Sequence, residues 1–401
     1  MQFWSWLFFI AVFIVFYNYA GYALLLWVIN RIKKPFKLQE TKNYPTVSFI
    51  VAAYNEEDCI EKKIINSLQQ NYPPEKIEFI FITDGSTDGT NEIIKKFPSV
   101  ILLSDNERRG KTAALNRVVK AASNEILIFS DANTILNPEA TQKIAGHYSD
   151  KTVGGVAGEK KVIASGENTN EVGAGEGLYW KYESALKKLD SDFYSVVGAA
   201  GELFSLRREL YEPVSEAVIL DDFIISMQVA LKGFRIVYEP GAFAMELPSF
   251  SMGDEQKRKI RIAAGGFQAI VLLSSLLKFW KHPRLSFLYI SHRLLRWTLS
   301  PICLVLAFLS NTVLYFGTGN KFFALCFFGQ LLFYGMAALA RVLPKNLPGF
   351  KLFKLAYYFV FMNLSVVQGF FRFMRGRQPA AWEKARRSGV VARPDNYPKS
   401  I

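Results

Sequence analysis

The 401-residue chain contains little cysteine and little histidine. Its three cysteines, Cys59, Cys303 and Cys326, are far apart, and two of them lie in apolar segments. A disulfide framework or a zinc site needs several such residues at short, regular spacing. The three histidines are scattered as well. The sequence therefore indicates neither kind of site and is typical of a protein at a reducing, cytosolic face.

Basic residues are missing from the first apolar run, Phe3–Ile29, which is about as long as a bilayer is thick. A secretory signal peptide would carry Lys or Arg before its apolar core and a small-residue cleavage site after it. Here Arg31, Lys33 and Lys34 follow the run directly. By the positive-inside rule we expect residues 1–30 to be an uncleaved membrane anchor that leads into the cytoplasm.

Apolar and basic residues are abundant: half of the chain is hydrophobic, 34 residues are Phe, and the net charge is +13. Such a charge can indicate nucleic acid, but membrane flanks are the commoner cause when apolar segments are present. We therefore predict membrane lipids as partners and no nucleic acid. Three further apolar segments, 297–316, 322–343 and 353–373, predict a membrane region of about three spans over residues 286–375.

The basic tail, residues 376–401, suits an anionic cytoplasmic lipid surface. One anchor followed by three spans would instead place the tail outside. A re-entrant or surface-lying segment, or one more span between Leu285 and Leu299, would remove this conflict, and the sequence leaves these alternatives open. Residues 251–285, basic and amphipathic, are expected to lie along the membrane surface.

The middle of the chain, residues 45–250, has the composition of a globular domain in which strands alternate with helices. Apolar strands are predicted at Val47–Ala53, Ile77–Thr83, Val100–Leu103 and Ile126–Phe129, each followed by a helical pattern. Two further strands are predicted at Leu203–Leu206 and Arg235–Tyr238, with a helix over Leu220–Leu231 between them. Repeated βα units of this spacing predict a parallel sheet with right-handed crossovers. The fold class is therefore α/β with a Rossmann-like, nucleotide-binding layout.

Polar side chains follow these strands where each should end. Asp131 and Asn133 come directly after the fourth strand, and their oxygens suit Mg²⁺ or Mn²⁺ holding a diphosphate. Both residue types are also common in plain turns, so this stretch alone leaves the two interpretations equal. Lys111 begins a helix after Arg108-Arg-Gly110, where a cation and helix N–H groups can meet a diphosphate.

Four motifs in order carry a resemblance: Ala53-Tyr-Asn-Glu56, Asp84-Gly-Ser-Thr-Asp-Gly-Thr90, Gly110-Lys-Thr-Ala-Ala-Leu-Asn116 and Ser130-Asp-Ala-Asn133. Together they resemble the family 2 glycosyltransferases of the GT-A fold. The resemblance continues through Asp222 into the membrane segments. Membrane-embedded synthases of cellulose, hyaluronan and poly-N-acetylglucosamine share this layout.

The resemblance implies an inverting transfer of a sugar from a nucleotide donor, most simply a UDP-sugar, to a polysaccharide or lipid-linked acceptor. It implies a divalent metal on Asp131 and Asn133, which match a DxD motif, and Asp222 as general base in a TED-type motif. The implied donor-binding residues are Ala53, Tyr54, Glu56, Asp84, Lys111 and Asp131, of which those from Ala53 to Asp84 would bind the uridine. Residues implied near the acceptor or the diphosphate are Gly201, Glu202, Asp221, Gln256, Arg258 and Arg261. The implied location is a bacterial inner membrane with the catalytic domain in the cytoplasm.

Two departures from the family pattern modify these expectations. Asn133 replaces the second Asp, which predicts weaker metal dependence and tighter Mn²⁺ binding in Asn133→Asp. Lys259 and Ile260 replace the Arg and Trp of a Gln-x-x-Arg-Trp motif, so processive synthesis and single-sugar addition both stay open. A sugar nucleotidyltransferase is a weaker alternative, because its glycine-rich loop should stand where Tyr54–Glu57 does. A non-catalytic scaffold is the third.

Overall fold

The computed structural model describes residues 1–32, 44–163, 171–249, 251–343 and 350–376. These residues form two compact units. The catalytic unit is built from the described residues between 44 and 255. The membrane unit is built from residues 1–32 and from the described residues between 256 and 376.

An eight-stranded sheet organises the catalytic unit, in the order β3-β2-β1-β4-β7-β6-β8-β5. The strands are β1 (Val47–Ala53), β2 (Ile77–Asp84), β3 (Ile101–Asp105), β4 (Ile126–Asp131), β5 (Ile135–Leu136), β6 (Val153–Val162), β7 (Leu203–Arg207) and β8 (Arg235–Glu246). Strands β1 to β4 are parallel to one another, and β7 is antiparallel to both β4 and β6. Strand β8 runs parallel to β6 and antiparallel to β5. The predicted α/β fold is confirmed, with a parallel part and a mixed part.

The central strands are buried because helices cover the sheet. Every residue of β1 is buried, and so are five of the six in β4. Their apolar side chains join one core with β2 and the following helices, each contributing roughly 1.5–3 kcal/mol. The helices of this unit are Ile60–Leu68, Thr90–Lys95, Lys111–Ala121, Ala140–Gly146, Glu171–Phe193 and Asp221–Leu231. The core therefore fixes the carboxyl ends of β1, β2 and β4 side by side.

The mixed part of the sheet differs from the sequence expectation. Strand β6 was not predicted, and β8 extends to Glu246 rather than ending at Tyr238. Three glycines and two lysines interrupt the apolar pattern of β6, so no strand signal survives there. In β8, Pro240 and Gly241 imitate a turn, and the structure has a register irregularity against β6 at that point.

The membrane unit contains the long apolar helices. Among the described residues, four are long and apolar enough to cross a membrane: Gln2–Ile32, Leu299–Thr318, Lys321–Leu339 and Phe350–Met374. A π-helical turn, Tyr17–Gly21, interrupts the first of them. The stretch between Leu285 and Leu299 holds only short helical segments, Pro283–Tyr289, Ile290–Leu294 and Leu295–Trp297. The basic tail lies outside the described residues.

Charge divides between the two units. Residues 44–255 contain 21 Lys and Arg against 32 Asp and Glu, a net charge of −11. Residues 1–32 and 256–376 contain 17 Lys and Arg and no acidic residue, a net charge of +17. The basic character of the whole chain therefore comes from its membrane part. A negatively charged ligand of the catalytic unit would therefore need local cations, because this unit carries a net negative charge.

Candidate active site

The site is centred on Asp131, the last residue of β4. In the register of the sheet it lies beside Ala52, one residue before the end of β1. Lys111, the first residue of the helix that follows β3, donates to Asp131 Oδ1 over 2.6 Å. About a fifth of each side chain is exposed. The predicted diphosphate lysine and the predicted metal ligand therefore meet at one sheet edge.

Asp222 faces the same point from the mixed part of the sheet. A methyl group built on Gly201 would lie 3.1 Å from Lys111 Nζ and 3.2 Å from Asp222 Oδ2. Gly201 therefore leaves an opening between the lysine and the carboxylate. Asp222 Oδ1 accepts from the Phe223 N–H over 2.8 Å, so Oδ2 is the oxygen that faces Gly201. Asp221 is buried beside it, and its Oδ2 has no hydrogen-bond partner among the described residues.

Burial and neighbouring charges set the protonation of these groups. Burial, together with Asp221 and Glu202, raises the pKa of Asp222 to about 7, although Lys111 opposes the shift. Burial also raises the pKa of Asp131 above its usual range, although Lys111 acts against it. Burial works to lower the pKa of Lys111, yet Asp131, Asp221 and Asp222 together raise it above its ordinary value. Lys111 is therefore a fixed cation, and Asp222 titrates near neutrality as a general base should.

Asp84 orders the loop that delivers Lys111. Its Oδ1 accepts from the Arg109 N–H over 3.1 Å, and its Oδ2 accepts from the Gly110 N–H over 2.6 Å. Gly110 has a φ of +100°, a conformation that glycine adopts without strain. The carboxylate thus binds backbone donors just before the helix Lys111–Ala121. Its predicted contact with uridine stays a prediction.

The loops after β1 and β2 are joined by hydrogen bonds. Asn55, at a φ of +53°, accepts the Thr87 N–H over 2.8 Å, and its own N–H donates to Ser86 Oγ over 3.1 Å. The Glu56 N–H donates to Thr90 Oγ1 over 2.9 Å. These bonds hold the segment that contains Ala53, Tyr54 and Glu56 in a defined shape.

Tyr54 carries a guanidinium on its ring. The Cζ atom of Arg108 lies 3.9 Å from the centroid of that ring. This stack joins Tyr54, which the resemblance implies at the donor, to the loop that leads to Lys111. Asn116, the last residue of the third motif, instead holds the segment 211–214, donating to Val214 O over 2.7 Å and accepting from Tyr211 over 2.7 Å.

Lys63 is a site residue that sequence reasoning missed. It is fully buried on the helix Ile60–Leu68. Its Nζ donates to Ser130 Oγ over 2.7 Å and to Thr134 O over 3.0 Å, the two ends of the turn that carries Asp131 and Asn133. Burial lowers its pKa to about 7, against the opposing charge of Asp131. The sequence does contain a signal for its burial, because Lys63 has the helical spacing that places it on one face with Ile60, Ile64 and Ser67.

A second missed group lies in the mixed part of the sheet. Asn133 Nδ2 donates to Glu246 Oε1 over 3.3 Å. Lys160, whose side chain is 1% exposed, contacts Glu246 Oε2 and pairs with Glu202 Oε1 over 2.5 Å. Ser130 Oγ donates to the backbone oxygen of Glu202 over 3.1 Å. The predicted acceptor residue Glu202 is thus linked to both ends of the predicted metal motif.

The donor chemistry of the site fits a divalent cation. Asp131 offers carboxylate oxygen, and Asn133 offers amide oxygen, because its nitrogen faces Glu246. The described surroundings combine five carboxylates with three lysines: Asp131, Glu202, Asp221, Asp222 and Glu246 with Lys63, Lys111 and Lys160. Among the described residues no three His, Cys, Asp or Glu side chains form a metal-ligating group. A bound cation would therefore also need phosphate oxygens of the donor.

The remaining predicted residues belong to the membrane unit. Gln256, Arg258 and Arg261 lie on the helix Met252–Leu272. Gln256 donates to Gln368 of the helix Phe350–Met374 over 3.1 Å. Their predicted contact with the diphosphate stays a prediction.

Comparison with known proteins identifies the catalytic unit. Residues 48–214 match the model of glycosyl transferase family 2. A poly-beta-1,6-N-acetyl-D-glucosamine synthase of Staphylococcus aureus is 29% identical over 281 residues, 68% of this chain and 67% of that protein. The synthase of the same name from Staphylococcus epidermidis is 26% identical over 271 residues, 63% of this chain and 65% of that protein.

A solved structure shares the fold. The mannosyltransferase PcManGT from Pyrobaculum calidifontis, in complex with GDP-Man and Mn²⁺, aligns with a TM-score of 0.66 at 22% identity. The alignment covers 93% of this chain and 100% of that one. The family and the GT-A fold that the motifs predicted are therefore confirmed. With four helices among its described residues that are long and apolar enough to cross a membrane, the chain is a membrane protein that carries a family 2 glycosyltransferase domain.

Proposed function

We propose that the chain transfers a sugar, with inversion, from a nucleoside-diphosphate donor to a polysaccharide or lipid-linked acceptor at the membrane. The observation that supports this most directly is the meeting of Lys111, Asp131 and Asp222 around Gly201. It combines a cation for a leaving diphosphate with a carboxylate for an attacking hydroxyl.

The reaction follows from these two groups. Asp222 Oδ2 accepts the proton of the acceptor hydroxyl, and the hydroxyl oxygen forms a bond to the anomeric carbon. The bond from that carbon to the diphosphate oxygen breaks, and its electron pair leaves with the diphosphate beside Lys111. A single displacement with one base inverts the anomeric configuration and needs no carboxylate nucleophile.

A divalent cation, Mg²⁺ or Mn²⁺, completes the proposal. Asp131 and Asn133 would hold it, and when bound it would supply charge stabilisation to the leaving diphosphate. Lys63 keeps the turn between these two residues in shape, whichever cation binds.

The donor and acceptor are proposed from the relatives. The staphylococcal proteins are named as synthases of poly-beta-1,6-N-acetyl-D-glucosamine, which makes UDP-N-acetylglucosamine the first donor to test. We expect the catalytic unit on the cytoplasmic side of a bacterial inner membrane, because Arg31 follows the first span and the relatives are bacterial. The proposed domains are a membrane anchor (residues 1–30), a catalytic domain (45–250), a segment along the membrane surface (251–285), a membrane region of about three spans (286–375) and a basic tail (376–401).

Transfer from labelled donors tests the proposal. The purified full chain in lipid nanodiscs is given radiolabelled UDP-N-acetylglucosamine, UDP-glucose, UDP-glucuronate or GDP-mannose with Mg²⁺ or Mn²⁺, and the products are sized. We expect release of nucleoside diphosphate with one donor and a β-linked product from an α-linked donor. A ladder of products supports a processive synthase, and addition of one residue excludes it. Folded protein that neither hydrolyses nor transfers any of these donors contradicts the proposed function.

A further inference from the structure

We propose that Glu246 is a positioning residue that turns the amide oxygen of Asn133 toward the cation site, and that Lys160 holds Glu246 in place. The inference rests on the proposed function, because it assigns a role to the residue that replaces the second Asp of the DxD motif. Neither Glu246 nor Lys160 carries a motif signature of its own.

The orientation of Asn133 follows from hydrogen-bond chemistry. Glu246 Oε1 lies 3.3 Å from Asn133 Nδ2. An ionised carboxylate can only accept hydrogen bonds, so the amide must present its nitrogen to Glu246. The amide oxygen then points away from Glu246, and oxygen is the only atom of the amide that ligates a hard cation. Without this contact either atom could face the site.

Glu246 is itself held from behind. It is the last residue of β8, its backbone oxygen accepts from the Ile163 N–H over 2.9 Å, and it is 2% exposed. A buried carboxylate is unfavourable unless a cation pairs with it. Lys160, almost wholly buried on β6, pairs with Glu246 Oε2 and also with Glu202 Oε1. One lysine therefore supports both the orienting carboxylate and the loop predicted to lie at the acceptor.

This arrangement gives a physical reason for asparagine at position 133. An aspartate there would face the Glu246 carboxylate at hydrogen-bond distance, and Lys160 is already shared with Glu202. Two like charges at that distance repel each other. The negative charge that the second Asp of a DxD motif would place on residue 133 is instead carried by Glu246, behind the proposed cation site.

Exchanging the two charges tests the pairing in metal-free protein. Asn133→Asp, Glu246→Gln and the double variant are compared with the wild type by thermal unfolding in EDTA.

The amide introduced by Glu246→Gln has one acceptor oxygen, which Lys160 occupies, so its nitrogen is left to face residue 133. In the double variant that nitrogen donates to the carboxylate introduced at position 133, and the pair is restored with its polarity reversed. We expect each single variant to unfold about 3 °C or more below the wild type, and the double variant to recover most of that loss. Additive losses in the double variant would overturn the pairing.

Direct Mn²⁺ binding tests the orientation. Binding of Mn²⁺ in the presence of UDP is followed by electron paramagnetic resonance, with Glu202→Gln as the charge-matched control. Glu202 pairs with the same lysine as Glu246, so Glu202→Gln removes one charge from the same group while the hydrogen bond between Asn133 and Glu246 is kept. We expect Glu246→Gln to weaken Mn²⁺ binding about tenfold, more than Glu202→Gln does, and the double variant to bind at least as well as the wild type. Equal or greater loss in Glu202→Gln would overturn the inference.

The outcomes separate this inference from the proposed function. If the wild type transfers sugar and binds Mn²⁺ while the charge exchange shows no recovery, only the role of Glu246 fails. If the wild type binds no Mn²⁺ with UDP, the cation site fails with it, and the transfer assay with labelled donors decides whether the glycosyltransferase reaction survives.

Discussion

The parallel part of the sheet, β1 to β4, and the mixed part, β6 to β8, supply the site in different ways. In the parallel part the polar side chains stand at the last residue of a strand, as Asp84 and Asp131 do. In the mixed part they come from buried strand residues and from a helix that precedes β8, as Lys160, Glu246 and Asp222 do. The parallel part presents its polar side chains at the edge of the sheet where its strands end. The mixed part places Lys160 and Glu246 behind these side chains and Asp222 across from them.

This difference suggests a division of labour. In the proposed reaction Lys111 and Asp131 act on the donor, and Lys63 holds the turn that carries Asp131, so changes to these residues should weaken donor binding. Asp222 faces Gly201 and the predicted acceptor loop, so its loss should stop transfer while donor binding survives. Kinetics that separate the affinity for donor from the rate of transfer can therefore test this division.

Asp222→Asn is expected to have the largest effect. The amide cannot accept the hydroxyl proton, so kcat should fall by about a thousandfold, while the dissociation constant for UDP, measured by calorimetry, changes little. Asp192→Asn is the matched control, because Asp192 pairs with Lys188 at the surface of the same unit. A variant that folds but loses UDP binding would show that Asp222 belongs with the donor side, and unchanged transfer would exclude it as the base.

The pH dependence of kcat/KM should report the same carboxylate in the free enzyme. Burial and Asp221 raise the pKa of Asp222 to about 7. A protonated carboxylate cannot accept a proton, so kcat/KM should rise with pH and level off above about pH 8. At pH 6 it should be about one tenth of the plateau. Asp221→Asn removes a negative neighbour and should move the midpoint to lower pH. A midpoint that stays in place or moves upward would contradict the assignment of this titration to Asp222.

The parallel part could be predicted from the sequence because its signals are local. Each strand is a continuous apolar run, and Asp84 and Asp131 follow such runs directly. Parallel strands bring their carboxyl ends to one edge, so the topology places Asp84 and Asp131 there, whereas the contact between Lys111 and Asp131 comes from the structure. The resemblance then added Asp222, and the sequence predicted the helix that begins beside it. No sequence pattern predicts the approach of Asp222 to Gly201.

The mixed part resisted prediction because its determinants are not local. Lys160 lies in a strand whose glycines and charges hide the alternation, and Glu246 lies beyond Pro240 and Gly241, which read as a turn. Their roles come from pairing between residues 86 positions apart in the chain. Buried ion pairs of this kind have no spacing rule, so only the three-dimensional structure reveals them.

Lys63→Met is the smallest of the expected changes and probes a buried residue within the parallel part. Methionine keeps the length of the side chain but leaves Ser130 and Thr134 without their shared donor, which should lower the free energy of unfolding by about 1–3 kcal/mol. Because the turn carries Asp131 and Asn133, the affinity for Mn²⁺ and UDP should fall several-fold, about tenfold at most, with a smaller change in kcat. Lys62→Met, on the exposed face of the same helix, should change neither quantity. A fall in kcat at unchanged donor affinity would instead show that Lys63 serves the transfer step rather than the turn that carries Asp131 and Asn133. The division between a donor-binding part and a transfer part would then fail at this residue.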